Sequence, residues 1–149
     1  MGMFLGIDAS ASGLTAERLR MDVISNNIAN SNTTRTDRGG AYHRRYVVFE
    51  PRERTPQSFE QTLMRAVGLS QEMGEGVRAV AIAEDPTQGP LVYEPGHPDA
   101  NAEGYVEKPN VNIVAEMVDM ITAQRAYEAN STAISAAKAM VSKVLEIGR

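Results

Sequence analysis

Few residues in this chain of 149 have types and spacings that could carry out chemistry. The two histidines come first, because imidazole both binds metals and moves protons near neutral pH. His43 stands in Tyr42-His43-Arg44-Arg45, where two neighbouring cations oppose a metal ion. His97 stands in Pro95-Gly96-His97-Pro98-Asp99, so His97 and Asp99 could form part of a metal or acid–base site. A zinc site needs three or four converging ligands. Two prolines and a glycine already explain the segment as a turn with a local hydrogen bond. Glu116 and Asp119 lie three apart, which on a helix puts both carboxylates on one face, as a general acid and base would require. The plainer reading is a solvated helix face, and Glu17 with Arg20 reads as an ordinary surface ion pair. The chain has no cysteine, which removes thiolate nucleophiles, thiolate metal ligands and disulfides. Phosphate-loop, dinucleotide-binding, zinc-protease and nucleophile-elbow motifs do not occur. The sequence predicts no enzyme, no cofactor and no metal site.

Charge and hydropathy narrow the partners. A formal charge of −4 gives nucleic-acid binding little electrostatic support, and the Arg44-Arg45 pair reads as exposed strand cations. No stretch approaches the roughly 20 apolar residues that span a bilayer. The start, Met1-Gly2-Met3-Phe4-Leu5-Gly6-Ile7-Asp8, lacks the positive region and the apolar length of a secretory signal. The expectation is either a cytosolic resident or export by a route that cleaves no signal.

The elements that position these residues fall into three zones: an N-terminal helix in residues 1–34, a β and loop region in 35–108, and a C-terminal helix in 109–149. The fold class is mainly α with a small β region, its long terminal helices forming a coiled-coil-like pair. The N-terminal helix, read over residues 3–32, carries a heptad of Ile7, Leu14, Met21 and Ile28, widened by Ile24. A second seam of Leu5, Ala9, Ala16, Leu19 and Val23 falls on nearly the opposite face, and two opposed stripes require partners on two sides. Gly6 and Gly13 weaken this helix by roughly 1 kcal/mol each relative to Ala. In the middle, Tyr42–Glu50, residues 76–84 and Leu91–Tyr93 read as strands. A short helix fits Phe59, Leu63, Met64 and Val67, with loops over 51–58 and 68–75. Residues 94–109 read as an extended connection ordered only by outside contact.

The C-terminal helix, read over 111–147, is capped by Asn110 or Asn112. Its apolar stripe begins as Ile113, Val114, Met117, Val118 and Ile121, with the methionines read as seam rather than as a cofactor box. Past a polar run holding Arg125, Tyr127 and Asn130, the stripe moves to another face at Ala133, Ala137, Met140, Val144 and Ile147. Such a helix is about 55 Å long, more than so small a middle region covers. The apolar faces left over mark an interaction surface, and non-identical patches build head-to-tail assemblies that close as rings or run on as helices. Asn26, Asn27 and Asn30 are polar groups beside these seams. Helix termination accounts for Asn30 and Asn32, whereas Asn130 and Arg125 stand mid-helix and read as register residues.

Two stretches resemble a known family. Ser25-Asn26-Asn27-Ile28-Ala29-Asn30 is similar to the shared motif of bacterial flagellar rod and hook proteins. Residues 109–121, followed by Ala123-Gln124-Arg125-Ala126-Tyr127, resemble their C-terminal motif. Tyr93-Glu94-Pro95-Gly96-His97-Pro98-Asp99-Ala100, Gly104-Tyr105-Val106 and the ending from Lys138 to Gly148 narrow the likeness to proximal rod proteins. The resemblance implies a structural subunit of the basal-body rod, the hollow driveshaft that transmits motor torque around the export channel. It implies copies of itself, other rod proteins, the membrane (MS) ring and the type III export gate as partners. It also implies a periplasmic place in the basal body, reached without a cleaved signal. Ile7, Leu14, Met21 and Ile28 are expected to pack on Val114, Met117, Val118 and Ile121, within or between chains. Competing readings are a distal rod or hook-type subunit, or a cytosolic export adaptor or chaperone.

Overall fold

A computed structural model describes residues 2–52, 63, 67 and 76–147. Two long helices, α1 (Gly2–Ala29) and α2 (Ile113–Ile147), enclose four short strands. These are β1 (Arg45–Pro51), β2 (Val77–Glu84), β3 (Leu91–Tyr93) and β4 (Tyr105–Glu107). The mainly helical class with a small β region is what the chain adopts. α1 stops at Ala29, three residues before its expected end, because Asn30, Ser31 and Thr33 turn their N–H groups back onto Asn26, Ile28 and Asn30. At the start of α2, Asn112 is the cap: its Oδ1 accepts the N–H groups of Val114 and Ala115 at 3.0 and 3.2 Å. Asn110 serves elsewhere, as described below.

The helices run antiparallel, with Asn27 beside Glu116 and Gly13 beside Asn130. The face of α2 toward α1 holds Glu116, Ala123, Ala126, Asn130 and Ala137, with Met120, Ile134 and Val141 half-buried among them. These are mostly small or polar side chains, so the helices approach closely. A Cβ at Gly13 would stand 2.8 Å from the side-chain nitrogen of Asn130. Gly13 therefore clears space for a neighbour, whereas Gly6 faces open space.

The second seam of α1 finds its partner inside the chain. β1 and β2 form an antiparallel hairpin with a register shift between Val48 and Phe49. This hairpin lies against α1, where the Ser12 hydroxyl accepts the Val77 N–H at 3.0 Å. Ala16 and Val23 of that seam are buried, with Ile24 of the first seam, and Leu5, Ala9 and Leu19 are half-buried.

β3 and β4 form a second hairpin that the sequence reading missed, having treated residues 94–109 as a connection without order of its own. Val92 pairs with Val106, which is 1% exposed, and the Tyr93 and Tyr105 rings meet edge-on at 5.3 Å. Gly104 turns the chain at φ +83°, a left-handed conformation open to glycine. Asn101 Oδ1 accepts the N–H groups of Glu103 and Tyr105, and Asp99 accepts the Thr34 hydroxyl at 2.8 Å. The loop is thus ordered from within. The missed strand is β4: Tyr105–Glu107, set between Gly104 and Pro109, carries too short a pattern to stand out. Of the expected loop at 51–58, Pro51 instead ends β1; its remainder from 53, the expected loop at 68–75 and most of the expected short helix lie outside the described residues, and the Val67 N–H donates to the Leu63 carbonyl at 3.0 Å.

Candidate functional site

Asn27 and Glu116 are fully buried where the two helices meet β1. Burying an amide and a carboxylate is unfavourable unless their hydrogen bonds are remade, and here they are. The Asn27 amide donates to the Arg45 carbonyl at 2.8 Å and to Glu116 Oε2 at 3.0 Å. Its Oδ1 accepts the Arg45 N–H at 3.0 Å and lies 2.9 Å from the Tyr42 hydroxyl. One side chain on α1 therefore pairs with both backbone groups of the first residue of β1. Glu116 Oε1 accepts Arg44 Nε at 2.6 Å, and Arg44 reaches Asp119 at 3.3 Å. Asn110 accepts the Arg44 backbone N–H at 2.6 Å and donates to the Asp85 and Thr87 carbonyls. Arg20 on α1 also faces Asp119, at 3.8 Å, besides its contact with Glu17 at 3.9 Å.

Two expectations are corrected by this network. Glu116 and Asp119 are not a solvated face: Glu116 is sealed inside, and its charge is matched by Arg44. Arg44 is accordingly no exposed strand cation, although Arg45 is, pairing with Glu84 at 2.8 Å and lying over the Tyr42 ring. Burial pushes the Tyr42 hydroxyl above its usual pKa, with Arg45 opposing and Glu84 and Glu116 adding to the rise. Bonds from the Thr87 hydroxyl and N–H hold Asp85 below the usual carboxylate range.

The histidines do local work. His43 Nδ1 donates to the Asp85 carbonyl, and His97 Nδ1 accepts the Asp99 N–H, each at 3.1 Å. Among the described residues no three His, Asp or Glu side chains gather in a way that could hold a metal ion. Among the described residues, too, no helix is long and apolar enough to cross a membrane.

The surface that stands out is apolar. Val114, Met117, Val118 and Ile121 are 72%, 52%, 59% and 52% exposed and lie on the side of α2 away from α1. Within the chain they do not pack on Ile7, Leu14, Met21 and Ile28, which are half-buried on α1. The α1-facing side of α2 is taken by Glu116, Ala123 and Asn130 instead. Met140 and Val144 are exposed at the far end of α2, joined there by Leu145. Of the other expected interface residues, Ile24 and Asn27 are buried, and Asn30 and Asn130 are half-buried. Asn26, Asn112, Arg125 and Tyr127 are exposed. Sequence reasoning missed Tyr42, Arg44 and Asn110. The step-of-seven series Glu116, Ala123, Asn130 and Ala137 was the available signal, since a row of small and polar residues marks a close helix contact.

Known proteins carry the same ends and the same middle. Residues 7–35 match the family described as flagella basal body rod protein, and residues 102–147 match the flagellar basal body rod FlgEFG protein C-terminal family. The flagellar basal-body rod protein FlgC of Borreliella burgdorferi is 48% identical, covering 99% of this chain and 98% of that one. FlgC of Bacillus subtilis is 45% identical over the full length of both. FlgC of Aquifex aeolicus is 37% identical, covering 98% of this chain and 97% of its own. With the helix pair, the two hairpins and relatives matched from end to end, the chain belongs to the FlgC family of flagellar basal-body rod proteins.

Proposed function

We propose that this chain is a structural subunit of the proximal flagellar rod and that it assembles through its terminal helices into the hollow shaft that carries motor torque. The observation that carries this reading is the outward face of α2, where Val114, Met117, Val118 and Ile121 stand more than half exposed in one stripe. Contiguous apolar surface of that kind is covered by a partner in proteins that stay soluble and ordered. Neighbours are copies of itself and other rod proteins along the shaft, with the membrane ring and the export gate at its base. The subunit acts in the periplasmic part of the basal body, and it arrives through the export channel without signal cleavage. A polar, hydrogen-bonded elbow suits torque transfer, since directional bonds resist rotation of one helix about another better than apolar contact does. The roles at the expected interface positions follow: the outward stripe meets neighbours, while Asn27, Asn130 and Arg125 hold register.

Purified basal bodies test this. The chain is expected in them by mass spectrometry, and Met117→Asp is expected to abolish swimming and remove it from them while leaving export detectable. Normal swimming by Met117→Asp would contradict the assembly role. Recovery of the wild-type chain only in cytosolic lysate would favour an export adaptor.

A further inference from the structure

The hairpin of β3 and β4 has one covered face and one bare face. Val106 is buried on the covered side. The register sets Leu91 opposite Glu107 and Tyr93 opposite Tyr105, so these four side chains share the other face. Tyr93 is 63% exposed, Leu91 57% and Tyr105 40%. Apolar surface left bare on so short a hairpin forgoes the burial that would stabilise it. Yet the rings are held in place. A Cβ at Gly104 would stand 2.9 Å from the Tyr93 ring and 3.2 Å from Pro95, so glycine is what lets the ring lie against the turn. The face also borders a groove of about 660 Å³, lined by Leu91, Tyr105 and Glu107 on one side and by the loop from Thr34 to Ala41 on the other. Glu107 stands on this face, and Glu103 is exposed at the adjoining turn. Among the described residues neither carboxylate pairs with a cation. Lys108 is taken by Glu94 at 3.1 Å, and Arg35, across the groove, by Asp99 at 3.5 Å.

We propose that this face is a docking site for an arginine of a partner protein, whose guanidinium stacks on the Tyr93–Tyr105 pair and pairs with Glu107. Charge complementarity selects the occupant. The face of an aromatic ring is electron-rich and attracts a cation, and the carboxylate beside the rings has the same preference. A purely apolar partner would shut Glu107 away from water with no charge to match it, which is unfavourable. Arginine satisfies both features at once. Its planar fork stacks on a ring and bonds both oxygens of a carboxylate, which the round ammonium of lysine does not. Its methylene stem covers Leu91. The groove gives the segment that carries the arginine a place to lie. Tyrosine and arginine are also the side chains in which binding energy concentrates, and rings already fixed lose little freedom when covered. The site shares no residue with the outward stripe of α2 and does not depend on the rod reading.

Photocrosslinking of the full chain in living cells tests this. Tyr93 or Leu91 is replaced, one at a time, by p-benzoylphenylalanine. The cells are irradiated, and the linked segments are identified by mass spectrometry. Both positions are expected to link to the same segment of one partner protein, with an arginine within about one helical turn of the linked residue. Glu107→Gln, which keeps the shape and removes the charge, is expected to cut the yield of that link about tenfold, and so is glutamine in place of the partner's arginine. The probe at Leu91 leaves both tyrosines in place, so it decides the matter if the hairpin does not tolerate the change at Tyr93. A linked segment without arginine, a yield unchanged by Glu107→Gln, or no link from either position would overturn the proposal. Wild-type chain absent from purified basal bodies would remove the rod reading and leave this docking site standing.

Discussion

The two faces of α2 are inverted relative to an ordinary surface helix. The face turned inward holds a buried carboxylate, an asparagine and a run of alanines, while four large apolar side chains of the first turns point outward. In a self-contained domain the apolar stripe would face the core. Here the fold of the single chain rests on close approach and on satisfied hydrogen bonds at Asn27, Arg44 and Glu116. Much of the large apolar surface of α2 is left exposed. On the proposed reading, the chain separates what shapes it from what joins it.

The sharpest way to break the inner face is at Asn27. Asn27→Leu leaves the Arg45 N–H and carbonyl and Glu116 Oε2 without these bonds, beside a carboxylate that is fully buried. Several unsatisfied buried groups together cost about 3 kcal/mol. Denaturant unfolding of the exported or refolded chain is expected to show that loss, and a change under 1 kcal/mol would mean the elbow contributes little. The two glycines of α1 sharpen the comparison more gently. Gly6→Ala meets open space and is expected to gain about 1 kcal/mol from helix propensity. Gly13→Ala meets Asn130 at 2.8 Å and is expected to lose that gain, which Asn130→Ala in the same chain returns. Equal gains at both glycines would contradict the close approach. The smallest effect is at high pH. Burial raises the Tyr42 pKa above its unfolded value, so its contribution is whole below about pH 10 and fades as pH rises toward the folded value. Tyr42→Phe is expected to flatten the alkaline arm of a stability–pH curve.

Much of this was legible in the sequence for physical reasons. A seam of seven-residue spacing announced α1, an apolar stripe announced α2, and its cap was narrowed to Asn110 or Asn112. The strands Val77–Glu84 and Leu91–Tyr93 announced themselves by β-branched and aromatic runs between Gly and Pro. What stayed hidden depended on partners far apart in the chain. Nothing local tells that Glu116 will meet Arg44, 72 residues away, rather than water. Apolar periodicity located the stripe at Val114–Ile121 but not its direction, because a stripe reserved for a neighbouring molecule has the same spacing as one that faces the core. The expectation that the stripe meets the α1 heptad within or between chains left that choice open, and the small-residue row on the other side of α2 excludes the packing within one chain.

The central claim is that the outward stripe of α2 is free in the single chain and covered in the assembled shaft. Thiol labelling of Ile121→Cys measures this directly, since the chain has no other cysteine. The free chain is expected to react as fast as a small exposed thiol, and intact basal bodies from swimming cells at least a hundredfold more slowly. Equal rates in the two states would contradict the account.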